Sequence, residues 1–77
     1  MKVKKLSELR PGERGRIVAI QGSGPLRERI LSMGFVIGSE VRVLRRAPLG
    51  DPMEYEIKGY KISLRKEEAE SVLVKVK

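Results

Sequence analysis

The sequence predicts a mainly β fold, a small five-stranded barrel with one short helix capping an end. Two observations carry this prediction. The chain has only 77 residues, enough for one small domain, and most of its apolar residues lie in short segments bounded by Gly and Pro turns. A sheet this small has to curl on itself to bury one face. We therefore expect residues 1–77 to form a single SH3-like barrel.

The chain begins with a helical turn followed by a strand. Leu6–Leu9 is short and apolar at both ends, which predicts a helical turn against the core. A turn with Pro11 at its second position follows it. Gly15–Ile20 is rich in β-branched residues, and we predict the first strand there.

The capping helix is predicted over Pro25–Met33. Proline suits the first helical position, because the N–H that it lacks would be unpaired there. Leu26, Ile30 and Met33 recur at i, i+4 and i+7 and so form one apolar stripe. Gly34 then supplies the left-handed residue at which helices commonly end.

Four further strands complete the predicted barrel. Two of them alternate apolar and polar residues with period two, as half-buried strands do, and the dipeptide Lys58-Gly59 predicts a tight hairpin turn between them. A single helical turn is predicted over Arg65–Ser71. The four strands are predicted at Val41–Arg46, 53–58, 60–65 and Val72–Val76.

The composition excludes several functional classes. The chain has no Cys and no His, so it holds no disulfide, zinc finger or Ser-His-Asp triad. No nucleophile has a visible base beside it, and we expect a protein that is not an enzyme. No apolar run approaches the roughly 18 residues of a membrane span, and no signal peptide is evident. We expect a cytoplasmic protein without direct membrane insertion.

The net charge of +7 is unevenly distributed. Residues 1–46 carry 11 Lys and Arg against 4 Glu, whereas residues 47–77 carry 6 basic and 6 acidic residues. The whole excess therefore lies in the first part of the chain. Such asymmetry favours an acidic partner, although a small domain also carries a charge of this size for solubility alone.

Two candidate ligand sites have weak patterns. Gln21–Pro25 precedes a helix, as phosphate-binding loops do, but it lacks the Lys of a Walker loop, and a plain helix entry is favoured. Asp51, Glu54 and Glu56 lie close in sequence. Without His or Cys they would hold a transition metal poorly. We expect a solvated acidic face, no metal site and no cofactor.

A nucleic-acid interface is the alternative function that the basic residues leave open. Small β-barrels are common frames for it, but single-strand binders add aromatic platforms. The chain has three aromatic residues, and Tyr55 and Tyr60 fall on the apolar sides of their strands, so we expect them in the core. The candidate basic residues are Lys2, Lys4, Lys5, Arg27, Arg29, Arg42, Arg45 and Arg46.

The loop between the second and third strands is the most informative segment outside the core. Pro48 and Pro52 stiffen it, and Leu49 lies at its centre with no periodic reason for burial. An apolar residue on a rigid loop suits docking to a partner. The equally open alternative is that Leu49 folds back and plugs the barrel.

In addition to these local patterns, a set of segments spread over almost the whole chain forms a recognisable series. Its most specific part is Leu44–Pro52 together with Gly59-Tyr60. The other segments are 6–9 with Pro11-Gly12, 15–20, Leu26-Arg27, Arg29, 33–35, Gly38 and 63–65. In these segments and their order, the chain resembles the FeoA family of small cytosolic proteins of ferrous iron uptake.

The resemblance implies an SH3-like barrel that acts as a non-enzymatic adaptor or regulator of FeoB, a membrane transporter with a cytosolic GTP-binding domain. Family-level descriptions add transition-metal binding, which the residues here do not support. A weak homo-oligomer is compatible with the resemblance. We expect the docking surface where the start of the helix meets the loop after the second strand. Its candidate residues are Leu26, Arg29, Arg45, Arg46, Leu49 and Asp51.

Overall fold

A computed structural model describes residues 2–77 as one antiparallel sheet with a short helical segment at three points. The strands are β1 (Val3–Lys5), β2 (Arg14–Ile20), β3 (Glu40–Arg46), β4 (Met53–Ile57), β5 (Tyr60–Leu64) and β6 (Val72–Val76). A 3₁₀ turn at Leu6–Glu8 and the helices α1 (Pro25–Ser32) and α2 (Lys66–Ala69) connect the strands. The order of the strands in the sheet is β1-β6-β2-β3-β4-β5.

The mainly β, SH3-like architecture is confirmed, with six strands where five were predicted. The additional strand is β1, which pairs antiparallel with β6 at the edge of the sheet. Its sequence, Val-Lys-Lys, has one apolar residue, and Val3 is 54% exposed. No hydrophobic alternation marks such a strand, because backbone pairing with β6 rather than side-chain burial holds it in place.

The core is built from the inward-facing residues of the strands and from all three helical elements. Alternate residues of β3 and β4 are buried, as period two requires. Phe35 and Tyr55 meet edge to face at its centre, with ring centroids 6.2 Å apart and planes at 88°. Leu6 and Leu9 are fully buried, so the predicted helical turn does lie against the core.

Helix α1 begins and ends as its sequence predicts. Gly24 is the N-cap and Pro25 the first helical residue. At the other end, Gly34 has φ of +100°, and its N–H donates to Leu31 O at 3.0 Å while Phe35 N–H reaches Ile30 O at 3.4 Å. This pair of bonds is a Schellman motif. The motif turns the chain so that Phe35 enters the core beside Ile30, both fully buried.

The hairpin between β4 and β5 turns at Lys58 and Gly59, as predicted. Both residues have positive φ, +52° and +83°, which a type I′ turn requires. The expectation that Tyr60 belongs to the core is wrong, since this residue is 70% exposed. Tyr60 lies on the apolar side by register, opposite buried Ile57. However, it is the first residue of an edge strand, and the core does not extend over it.

Candidate partner-binding surface

The loop between β3 and β4 is a closed and tightly bonded turn. Gly50 N–H donates to Ala47 O at 2.7 Å, and Ala47 N–H donates to Pro52 O at 3.0 Å. Pro48 and Leu49 occupy the two central positions of the inner turn, where proline at the first is favoured. Leu49 is 96% exposed, so it does not plug the barrel. The loop presents an apolar side chain to solvent on a stiff support.

Charged residues surround the base of this loop. Arg45 Nε lies 3.3 Å from Glu54 Oε1, and both belong to directly opposite positions of β3 and β4. Asp51 Oδ1 accepts a hydrogen bond of 2.9 Å from Lys66 N–H, which ties the loop to the start of α2. A shallow groove runs beside Leu49, and it is lined by Ser7, Arg46, Leu49, Gly50, Asp51, Met53 and Lys66.

The helix side of the predicted surface is held by a buried carboxylate. Glu68 is only 6% exposed, its Oε2 lies 3.1 Å from Arg29 Nε, and its Oε1 accepts a 2.9 Å bond from Arg65 N–H. Leu26 is half-buried against the core. The guanidinium of Arg29 is therefore fixed, while most of that side chain stays exposed.

Helix α2 connects the two halves of the predicted surface. Lys66 bonds Asp51 of the loop, and two residues later Glu68 bonds Arg29 of α1. The sequence analysis expected the helix and the loop to meet, and it missed Lys66 and Glu68. An acidic residue three positions after an N-cap is a helix-start signal, but Arg65 occupies the cap, where Ser or Thr would make the pattern recognisable.

Tyr55 lies in the core with its hydroxyl buried. Burial raises the pKa of this phenol well above its ordinary value, while the nearby charges of Arg46 and Asp51 act in opposite directions. Within residues 2–77 the hydroxyl has no hydrogen-bond partner. A buried polar group without a partner costs stability, so this hydroxyl is an unfavourable feature of the core.

The carboxylates do not fit a transition-metal site. Among residues 2–77, no three potential ligands of the His, Cys, Asp and Glu types come together. Glu54 is engaged by Arg45, and Glu56 lies between Arg42 and Lys61 in the register of the sheet. Both glutamates of this region thus lie beside cations, which compete with a metal ion for them, and Asp51 Oδ1 accepts the backbone N–H of Lys66.

The basic residues considered for nucleic-acid binding are divided among the start of the chain with β1, helix α1 and strand β3. Arg27 and Arg29 belong to α1, whereas Arg42 lies on the outer face of the sheet directly opposite Arg14 of β2. The candidate set omitted Arg14, because pairing across strands is invisible in the chain order.

Helix α1 is the longest helix of residues 2–77. No helix in this part of the chain has the length and apolar character to cross a membrane.

Fold and surface together define a small SH3-like β domain whose distinctive exposed feature is an apolar, arginine-flanked loop. Within this class, the family model described as the FeoA domain matches residues 4–76. The chain therefore belongs to the FeoA family, which functions in ferrous iron transport. This confirms the family that the sequence resembles.

Individual relatives agree with this assignment. The chain is 46% identical over 72 residues to the Fe(2+) transport protein A/Fe(2+) transporter FeoB fusion protein of Porphyromonas gingivalis, covering 94% of this chain but only 8% of that relative's length. A FeoA-like protein from Clostridium acetobutylicum superposes with a TM-score of 0.91 at 36% identity, over 99% of this chain and 88% of that one.

A third relative supports the fold class directly. The zinc complex of FeoA from Stenotrophomonas maltophilia, described as a procaryotic SH3 domain protein, superposes with a TM-score of 0.82 at 29% identity. The match covers 94% of this chain and 89% of that one. The SH3-like barrel expected from the strand pattern is thus the fold of a solved relative.

Proposed function

We propose that this chain is a non-enzymatic accessory protein of ferrous iron uptake that acts by binding a FeoB-type membrane transporter on its cytosolic side. The observation that carries the proposal is the fused relative, in which a domain 46% identical to this chain shares a polypeptide with an Fe(2+) transporter. Covalent linkage raises the effective concentration of two modules for each other. Fusion of this kind is typical of domains that also work as separate, contacting proteins.

The loop and its flanking arginines are the surface that we propose for this contact. Leu49 offers an exposed apolar anchor, and the two backbone bonds that close the loop limit the entropy lost on docking. Arg29, Arg45 and Arg46 provide planar donors for carboxylates of an acidic partner. Leu26 and Asp51 complete the surface, and α2 links its loop side to its helix side by bonding Asp51 and Arg29.

A contact role agrees better than catalysis with the chemistry of the surface. The chain contains neither His nor Cys, and Glu68, the buried carboxylate of this region, is already bonded to Arg29 and Arg65 N–H. A general base has to be free to reach the proton that it abstracts. The exposed apolar and guanidinium groups recognise a partner but do not perform bond chemistry.

The proposal is tested by measuring binding of the purified chain to a FeoB-type transporter solubilised in uncharged detergent. We expect saturable binding of one chain to each transporter, weakened by salt because arginines contribute. A transporter whose cytosolic part has been removed serves as the control and is expected to show no binding. Equal signal with both preparations, or with neither, would contradict the proposal. Sedimentation of the chain alone checks the separate prediction of weak self-association.

A further inference from the structure

The outer face of the sheet carries two rows of charged side chains in direct register. The first row runs across four strands as Val3, Lys75, Arg16 and Glu40. The second row comprises Arg14, Arg42, Glu56 and Lys61, again as directly opposite partners. Val41, which lies between the rows on β3, and Val74, which precedes Lys75 on β6, are fully buried. Alternation along the strands therefore directs both rows to the same, solvent-facing side.

Two positions in these rows place cation directly against cation. Arg14 of β2 is opposite Arg42 of β3, and Arg16 of β2 is opposite Lys75 of β6. All four residues are exposed. Like charges at directly opposite positions of a sheet destabilise it. The folded state thus retains a local repulsion for which the core gives no packing reason.

The few carboxylates on this face leave most of the positive charge uncompensated. Glu40 is held by Lys77 at 2.6 Å, and within residues 2–77 no ion pair involves Arg14, Arg42 or Lys75. Six basic residues face two acidic ones, Glu40 and Glu56, which leaves four positive charges of the chain's total of +7. We call the six the basic face: Arg14, Arg16, Arg42, Lys61, Lys75 and Lys77.

The chemistry of the basic face selects among anionic partners. A stable protein interface has an apolar centre, but Val3 at the rim is the one apolar residue of the two rows. A binder of single-stranded nucleic acid adds stacking aromatics, and the rows contain none. Anionic lipid headgroups, by contrast, require only clustered Lys and Arg close to the bilayer surface.

We propose that the basic face binds anionic phospholipid headgroups, so that the domain lies against the cytosolic leaflet beside its transporter. This inference rests on the proposed function, which brings the chain to a membrane protein. The two surfaces are separable, because Arg42 lies four residues before Arg46 on β3, about 13 Å along the strand. Lipid contact would therefore leave the loop around Leu49 free for the transporter.

The test uses vesicles without any transporter. Binding is measured by co-sedimentation with vesicles of equal parts phosphatidylcholine and phosphatidylglycerol, and with phosphatidylcholine alone. The test variant is R16Q/K75Q, which removes two charges and one repulsive pair. The matched control is R27Q/R65Q, which removes two exposed charges outside the basic face. Thermal midpoints are recorded for both.

We expect binding only to the anionic vesicles, reduced about 30-fold in R16Q/K75Q and less than about threefold in the control. The thermal midpoint of R16Q/K75Q should stay close to that of the parent chain, because relief of the Arg16–Lys75 repulsion offsets the loss of the Arg16 contacts with Glu40 and Gly38 O. Equal losses in the two variants, or no binding to anionic vesicles, would overturn the inference. So would tighter binding to duplex DNA than to vesicles at physiological salt. Because the vesicles contain no transporter, a failure of lipid binding would not affect the proposed contact with the transporter. The experiment in detergent tests that contact separately.

Discussion

Arg29 Nε and Glu68 Oε2 lie 3.1 Å apart, joining the longest helix of the described chain to the short helix α2. The pair is asymmetric, because the arginine side chain is 66% exposed and the glutamate side chain only 7%. Glu68 also accepts the Arg65 N–H. The carboxylate thus organises this end of the barrel, while the guanidinium remains available at the surface.

We predict that Glu68→Ala destabilises the fold by about 2 kcal/mol, because it removes a buried, charge-assisted acceptor of two donors. Arg29→Gln should cost less, about 0.5–1 kcal/mol, since its side chain is mostly exposed. Urea denaturation of both variants gives the two free energies. Glu70→Ala, an exposed glutamate just beyond α2, is the control and should change stability by less than about 0.5 kcal/mol. Equal costs for Glu68→Ala and Glu70→Ala would contradict the organising role.

The sequence predicted those parts of the fold that local patterns determine. The alternation of Met53, Tyr55 and Ile57 against Glu54 and Glu56 predicted β4 correctly, since burial on one face imposes period two. Gly34 predicted the end of α1, because a positive φ is needed there.

The sequence was uninformative where structure depends on pairing across the sheet. Strand β1 is held by β6, some 70 residues away in the chain, and Tyr60 is exposed because of its place at the sheet edge. Arg14 and Arg42 are likewise opposite each other only because of the register in which β2 pairs with β3. For Leu49, composition left two alternatives open, and only the bonded geometry of the loop shows that it is exposed.

Gly15 is predicted to tolerate no side chain. A Cβ built on it would lie 2.7 Å from the backbone oxygen of Lys75, closer than real Cβ contacts allow. Because that oxygen belongs to β6, relief requires the β2–β6 pairing to shift, and Gly15→Ala should destabilise the fold by about 1–3 kcal/mol. Val18→Ala, at a partly exposed position of the same strand, is the control, with an expected change below about 1 kcal/mol. A Gly15→Ala thermal midpoint equal to that of the parent chain would show that the close approach is unimportant.

Tyr55→Phe is predicted to stabilise the protein by about 1 kcal/mol, because it removes a buried hydroxyl that has no partner within residues 2–77. The gain should grow at alkaline pH. Burial raises the pKa of Tyr55 above its ordinary value of 10.0. The unfolded chain therefore loses this proton first, and the stability of the parent chain falls as pH rises above about 10. Phenylalanine has no ionisable proton, so the stability of the variant lacks this contribution to the decrease at high pH.

The measurement for Tyr55→Phe is denaturation at neutral pH and at several values above the ordinary tyrosine pKa. Tyr60→Phe is the matched control, because Tyr60 is 70% exposed, and its difference from the parent should stay small throughout. A Tyr55→Phe difference that does not change with pH would refute burial of an un-ionised phenol. A loss of stability at neutral pH would show that the hydroxyl has a favourable partner.

Leu49→Ala is predicted to separate binding from stability. With 96% of its surface exposed, Leu49 contributes nothing to the core, and its truncation should change the free energy of unfolding by less than about 0.5 kcal/mol. If it anchors the transporter, the same truncation should weaken association by more than about 1 kcal/mol, roughly fivefold. Leu26→Ala should affect both quantities, because Leu26 is half-buried against the core.

The matched control for Leu49 is Ile37→Ala, which truncates another apolar side chain, 61% exposed, in the connection before β3. Both variants should unfold at the parent's denaturant midpoint, and calorimetric titration of the detergent-solubilised transporter should then distinguish them. Loss of affinity in Leu49→Ala alone supports the loop as the docking surface, because general surface hydrophobicity would affect both variants alike. Equal affinities for Leu49→Ala and the parent chain would place the transporter contact elsewhere on the barrel.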